Sequence, residues 1–279
     1  MNRNMFSNIN LLLIVLIFLP LWAKSQEIGT YMGDESMFYA QTKQVNQFFR
    51  RFNNEESKEG NRYYPEDKNY RNLSQRKKFL EILFDGQNYS LNHHKQTFIE
   101  QICQANNPQF LDFHAGDWYA EVKAHFICHG KEEIVRLFLK LEKEKLGYKW
   151  GLYKAYHEPF NQLFVSDTTK GKRFLHPMSH EVGFMNLEKA FRELKEIQQY
   201  VSNDKPIDHL SLLLYEMKKG TMVFETVSEV KFHFFQIKGW YFEVSEFVRS
   251  GYNTGWLISN LIPLKPEDKP VLERYIFKE

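Results

Sequence analysis

The chain spells nearly the same seven residues twice, AEVKAHF from Ala120 to Phe126 and SEVKFHF from Ser228 to Phe234, with five of the seven positions identical. Side chains of an extended strand alternate between its two faces, so each copy sorts into an apolar row and a charged row. Val122, Ala124, Phe126 and Cys128 share one face of the first copy; Val230, Phe232 and Phe234 share that face of the second. Glu121, Lys123 and His125 lie on the other face, and Glu229, Lys231 and His233 repeat them. A strand of this pattern packs helices against one side and leaves the other polar, which is the signature of an antiparallel sheet with one covered face.

The surroundings of the two copies repeat as well. GYKWGL begins at Gly147, one strand after the first copy, and GYNTGW begins at Gly251, one strand after the second. Period-two patterning predicts strands over about 117–128, 132–142 and 148–156, with HGK and EKEKLGY as turns, and again over about 221–237, 240–249 and 254–263. Helices precede both meanders. Phe38, Val45, Phe48, Phe49 and Phe52 predict a helix over 36–52, followed by helices near 74–84 and 94–104. Phe184, Leu187, Phe191, Leu194, Ile197 and Val201 predict another, then one over 206–219 with Pro206 in its first turn and Gly220 just past its end. The tail KPEDKP reads as turns before a short apolar end. The expected fold class is therefore α+β, two helix-plus-antiparallel-meander units in tandem. The first unit spans 26–156 with a polar insertion near 53–72, the stretch 157–183 is a linker, and the second unit spans 184–279. The competing explanation of the repeat is one sheet whose neighbouring strands look alike.

Residues 1–25 read as a signal peptide. Arg3 precedes an apolar run from Ile9 to Trp22, and Ala23-Lys24-Ser25 sets cleavage before Gln26. The run is shorter than the roughly 18 residues of a spanning helix, and no later segment is apolar enough to span. An exported protein, periplasmic or extracellular, is expected. Cleavage removes Arg3 and Lys24 and no acidic residue, so the formal charge of +2 falls to zero and nucleic acid is not an expected partner. Two cysteines, Cys103 and Cys128, exclude a disulfide-built scaffold; they allow one bridge or two thiols that act as small hydrophobes. An aromatic content of 16% supplies core for a sheet-rich fold.

The charged rows are the candidate binding or interface residues: Glu121, Lys123, His125, Glu229, Lys231 and His233. They serve as a solvated strand face with cross-strand ion pairs, as an interface meeting across a pseudo-twofold axis, or as the lining of a pocket. His176 and His180 in HPMSHE have a metal-binding spacing, but the motif is not H-E-x-x-H and Pro177 suggests a turn or helix start, so a hydrogen-bonded linker is favoured over a metal-assisted site; no cofactor is expected. Trp118, Tyr119, Trp240 and Tyr241 offer an aromatic surface or edge packing. His93 and His94 read as solvated, and Asn72 and Asn88 open N-x-S sequons. No G-x-S-x-G, Gly-rich phosphate loop or Cys-His pair stands out, so the catalytic residues are unknown.

The element order, with the paired EVKxHF and GYxxG segments, resembles the NTF2-like (SnoaL-like, cystatin-like) α+β roll, two units covering most of the chain. The resemblance implies cone-shaped units whose sheets curl around helices. It carries no functional residue, because enzymes, ligand binders and dimerising scaffolds share that fold. The expected function is a non-enzymatic binding or interaction protein with an unknown protein or small-molecule ligand. The alternative is a small-ligand enzyme with an acid–base pocket inside one cone, built on His125 or His233 and a neighbouring Glu.

Overall fold

Period-two patterning becomes six strands: β1 (Trp118–Cys128), β2 (Lys131–Glu144), β3 (Gly147–Tyr156), β4 (Met222–Phe234), β5 (Trp240–Phe247) and β6 (Gly255–Pro263). The computed structural model describes residues 35–163, 208–251 and 253–278. The strands form one open antiparallel sheet in the order β3-β2-β1-β4-β5-β6, so the two meanders lie side by side and the repeated strands are central neighbours.

The register of that central pair explains the repeat. Val122 faces Val230, Glu121 faces Lys231, and Lys123 faces Glu229. Equivalent residues of the two copies thus meet around a pseudo-twofold axis between the two valines. A strand reading Glu-Val-Lys that pairs antiparallel with its own copy puts opposite charges across from each other on both sides of the axis, which is the favourable cross-strand arrangement. There is one six-stranded sheet rather than a separate sheet for each expected unit, and the two look-alike strands are its central neighbours.

Helices α1 (Glu35–Asn53), α2 (Leu73–Ile82) and α3 (Asn92–Ile102) precede the first meander, and α4 (His209–Lys219) precedes the second. Helix α3 packs on β6, and α4 packs on β3, the pairing that the pseudo-twofold axis requires. Asp208 caps α4, its carboxylate accepting from Ser211 N–H, and Gly220 ends the helix in the left-handed region at φ 80°. Helix α5 (Lys269–Phe277) replaces the expected short apolar end. The expected signal segment and the helix around 184–201 lie outside the described residues. Within the expected linker, Glu158–Leu163 form a 3₁₀ turn and residues 164–183 lie outside the described set.

The apolar rows of β1 and β4 meet the helices as patterned. Phe48, Phe49 and Phe52 of α1 pack with Phe234, Trp118 and Phe242 of the sheet in ring contacts of 5.0–6.0 Å. Trp118 stacks on Phe234 at 5.4 Å, and Trp240 meets Phe98 at 5.4 Å. Of the two readings of these aromatics, packing holds for Trp118, Trp240 and Tyr241, which are at most 4% exposed and belong to the interior. Cys103 and Cys128 are both free thiols.

Arg76 is fully buried and holds three segments together. Its guanidinium donates to the carbonyls of Phe52 at 2.8 Å, Ile102 at 3.0 Å and Gln109 at 2.5 Å, between the rings of Phe52 and Phe110. Burial pushes its pKa down to about 10, so it remains a cation at neutral pH. Two of its acceptors sit at the ends of α1 and α3, where helix carbonyls are negative and lack intrahelical partners. The 53–72 insertion is tied down by a buried carboxylate. Glu56 accepts from Gln47 and from Arg50, each at 2.7 Å. Asn72 and Asn88, the two sequon asparagines, both use their side-chain oxygens to cap helical turns. Among the described residues no helix is long and apolar enough to cross a membrane.

Candidate functional site on the charged face of the sheet

All six residues of the two charged rows come together on the sheet face opposite the main helical core. They occupy two adjacent strands, and the sheet twofold relates them. Their environments differ sharply along the row.

At one end, Glu121 and His233 are buried, 8% and 2% exposed. The ladder places Tyr119 beside His233 and Phe138 beside Glu121. Phe277 of α5 packs on Tyr119 at 5.4 Å and on Phe138 at 5.0 Å, roofing this end of the row. Lys269, at the start of α5, pairs with Asp117 at 2.8 Å and fixes the helix over the sheet. Beneath that roof the polar groups form a closed set. His233 Nε2 lies 2.8 Å from Glu121 Oε2, and His233 Nδ1 lies 2.8 Å from the Tyr241 hydroxyl. Arg136 donates to the other Glu121 oxygen. A carboxylate only accepts, so His233 donates from Nε2 to Glu121, while its Nδ1 shares a hydrogen bond with the Tyr241 hydroxyl. Burial opposes ionisation of Glu121, but the hydrogen bonds and charges of His233 and Arg136 outweigh it and hold its pKa at about 2. Burial raises the Tyr241 pKa, helped by Glu243 and Glu121, so the phenol stays a donor.

In the middle, Lys231 lies 3.3 Å from Glu229 and 3.5 Å from Glu243. Burial works against its charge, but Glu243 and Glu229 raise its pKa on balance. Lys123 is half-buried and has no ion-pair partner among the described residues.

At the other end, His125 is half-buried, and among the described residues its ladder neighbours Ile134 and Thr226 are exposed. Its Nδ1 is hydrogen-bonded to the Glu132 carboxylate, and its Nε2 lies 2.7 Å from the Ser228 hydroxyl. Sequence reasoning named His125 but missed Ser228, Glu132 and Arg136, and it offered Tyr241 only as an aromatic surface or packing residue. Ser228 was visible as the first residue of SEVKFHF, but its parity placed it on the apolar face with Val230.

His176 and His180 lie outside the described residues, and among the described residues no group of three or more His, Cys, Asp or Glu side chains is placed to hold a metal ion. A surface groove of about 470 Å³ lies away from the charged rows, between the 53–72 insertion and α2, lined by Lys58, Tyr63, Lys78, Phe79 and Ile82 among others. Comparison with protein-family models, with curated proteins and with solved structures returned no match.

Proposed function

We propose that this chain is an exported binding or interaction protein, built from two NTF2-like units that share one sheet, with its signal segment removed near Ser25-Gln26. The observation that carries this reading is the closed set around Glu121 and His233. Both ring nitrogens of His233 and both oxygens of Glu121 already have protein partners. A general base needs a lone pair aimed at the substrate, and these groups are instead spent joining β1 to β2, β4 and β5. The acid–base pocket of the alternative reading would need the charged rows inside a cone, under the helices. They face the other way, so this version of the enzyme reading loses its support. The groove beside the 53–72 insertion offers the binding reading a site with apolar walls and charged groups of both signs, Lys58, Lys78 and Glu59.

The test is a thermal-shift screen of the purified protein against anionic, aromatic and saccharide ligands, with product analysis of every hit. A ligand that raises Tm in proportion to its occupancy and is recovered unchanged is the expected result. A ligand that is chemically converted, with conversion lost in Glu121→Gln or His233→Gln, overturns the reading.

A further inference from the structure

The open end of the charged row holds a constellation that the binding reading does not use. Ser228, His125 and Glu132 stand on three neighbouring strands, β4, β1 and β2, in the order nucleophile, base, acid. The Ser228 hydroxyl is 2.7 Å from His125 Nε2, and His125 Nδ1 is hydrogen-bonded to Glu132. Glu132 as acceptor puts a proton on Nδ1, and in the neutral ring the Nε2 lone pair then faces the hydroxyl. The Ser228 hydroxyl also donates toward the Lys123 carbonyl at 3.3 Å, so that carbonyl and His125 Nε2, at 2.7 Å, compete for its one proton.

A break in the ladder creates this arrangement. β1 pairs Lys123 with Glu229 and Ala124 with Val227, so Ser228 is an extra residue in β4. Without the bulge, Ser228 would face Ala124 and point into the core. The extra residue gives that place to Val227 and turns Ser228 out beside His125. Bulges re-aim side chains in this way and recur next to active sites.

We infer that Ser228 is an activated nucleophile that takes the acyl group of small, unhindered esters. His125 Nε2 removes the Ser228 hydroxyl proton as Oγ bonds to the ester carbonyl carbon. The carbonyl π pair moves onto oxygen, and Glu132 stabilises the imidazolium. Collapse of the tetrahedral adduct breaks the ester C–O bond, and the leaving alcohol takes the proton from His125. Water then releases the acid by the same steps in reverse order. Lys123, on the same face and one alternation from His125, is the cation available to the developing alkoxide. The site lies on an open strand face, so it selects for small, reactive esters rather than for a shaped substrate.

The experiment is reaction of the purified protein with an alkyl fluorophosphonate, read by intact mass and peptide mapping, alongside hydrolysis of 4-nitrophenyl acetate. The expected result is one adduct per chain on Ser228. Labelling is abolished in Ser228→Ala and slowed about 100-fold in His125→Ala. Glu132→Gln slows it at least about tenfold, and Glu132→Asp recovers part of the rate. These residues are at the surface, and an unchanged melting temperature shows that the variants fold. No adduct, an adduct elsewhere, or an unchanged rate in His125→Ala overturns the inference. None of those outcomes touches the binding reading, whose test turns on Glu121 and His233.

Discussion

His125 and His233 hold the same position in the two copies of one motif, yet they end in opposite situations. His233 is buried beneath α5's aromatic roof, with Glu121 and Tyr241 on its two nitrogens. His125 is half-open, with Glu132 and Ser228 on its two nitrogens. The sheet twofold relates their strands but not their neighbours. On the His233 side the ladder runs unbroken past the axis, so Tyr119 faces the ring. On the His125 side the extra Ser228 shifts the ladder, and Thr226 takes the facing place. One inserted residue and one helix thus separate a structural histidine from a histidine poised beside a hydroxyl. Duplicated sequence preserves a backbone plan, while local register and covering elements decide what each copy does.

The strongest way to break the comparison is in the apolar row. Phe232 corresponds to Ala124, and Phe232 is fully buried among Trp118, Trp150 and Trp256. Phe232→Ala, which gives the second copy the first copy's residue, is expected to cost about 4 kcal/mol in urea unfolding. A loss below about 1 kcal/mol would show that the two halves are packed alike after all.

Next comes the buried carboxylate. Glu121→Ala leaves Arg136 and His233 without their acceptor and is expected to cost about 3 kcal/mol. The exposed counterpart Glu229→Ala is expected to cost no more than about 0.5 kcal/mol. The pH dependence follows from the same residue. Its pKa falls from 4.5 to about 2 on folding, so its contribution is present above 4.5 and is lost as pH falls toward 2. Unfolding free energy measured from pH 6 to pH 2 should show this acid limb in the native chain, and Glu121→Gln should flatten it.

The histidines themselves give the smaller effects. His233→Ala strands the Tyr241 hydroxyl and one Glu121 oxygen, for an expected loss of about 2 kcal/mol. His125→Ala should change stability by no more than about 0.5 kcal/mol in the same urea titration. Equal losses would mean that the roof over His233 contributes nothing.

Much of the fold was legible in the chain. The six strands follow from alternation in residues such as Val122, Ala124 and Phe126, and the turns of the first meander from HGK and EKEKLGY. Gly220 marked the end of α4 because a left-handed cap favours glycine. Helix α5 was not legible, because nine residues that carry Pro270 in the first turn show too few periods to separate from a turn-rich tail. Arg76 was one basic residue among several in SQRKKF; only the convergence of three carbonyls makes it the one that is buried. In the candidate site, the six row residues were legible through face parity. Ser228 was not, since its parity is reversed by a bulge that no local residue type announces.

Alone, the sequence determined which side chains share a face and that one strand pattern occurs twice, because alternation is a property of any extended backbone. It also contained the complementarity of Glu-Val-Lys with its own reverse. Only the tertiary structure decided that the two copies pair with each other, with Val122 against Val230. It also decided that α5 closes over one end of the charged row and that a one-residue bulge opens the other. Those outcomes depend on which distant segments compete for the same strand edge and sheet face, and that competition is settled by burial and register across more than a hundred residues of chain.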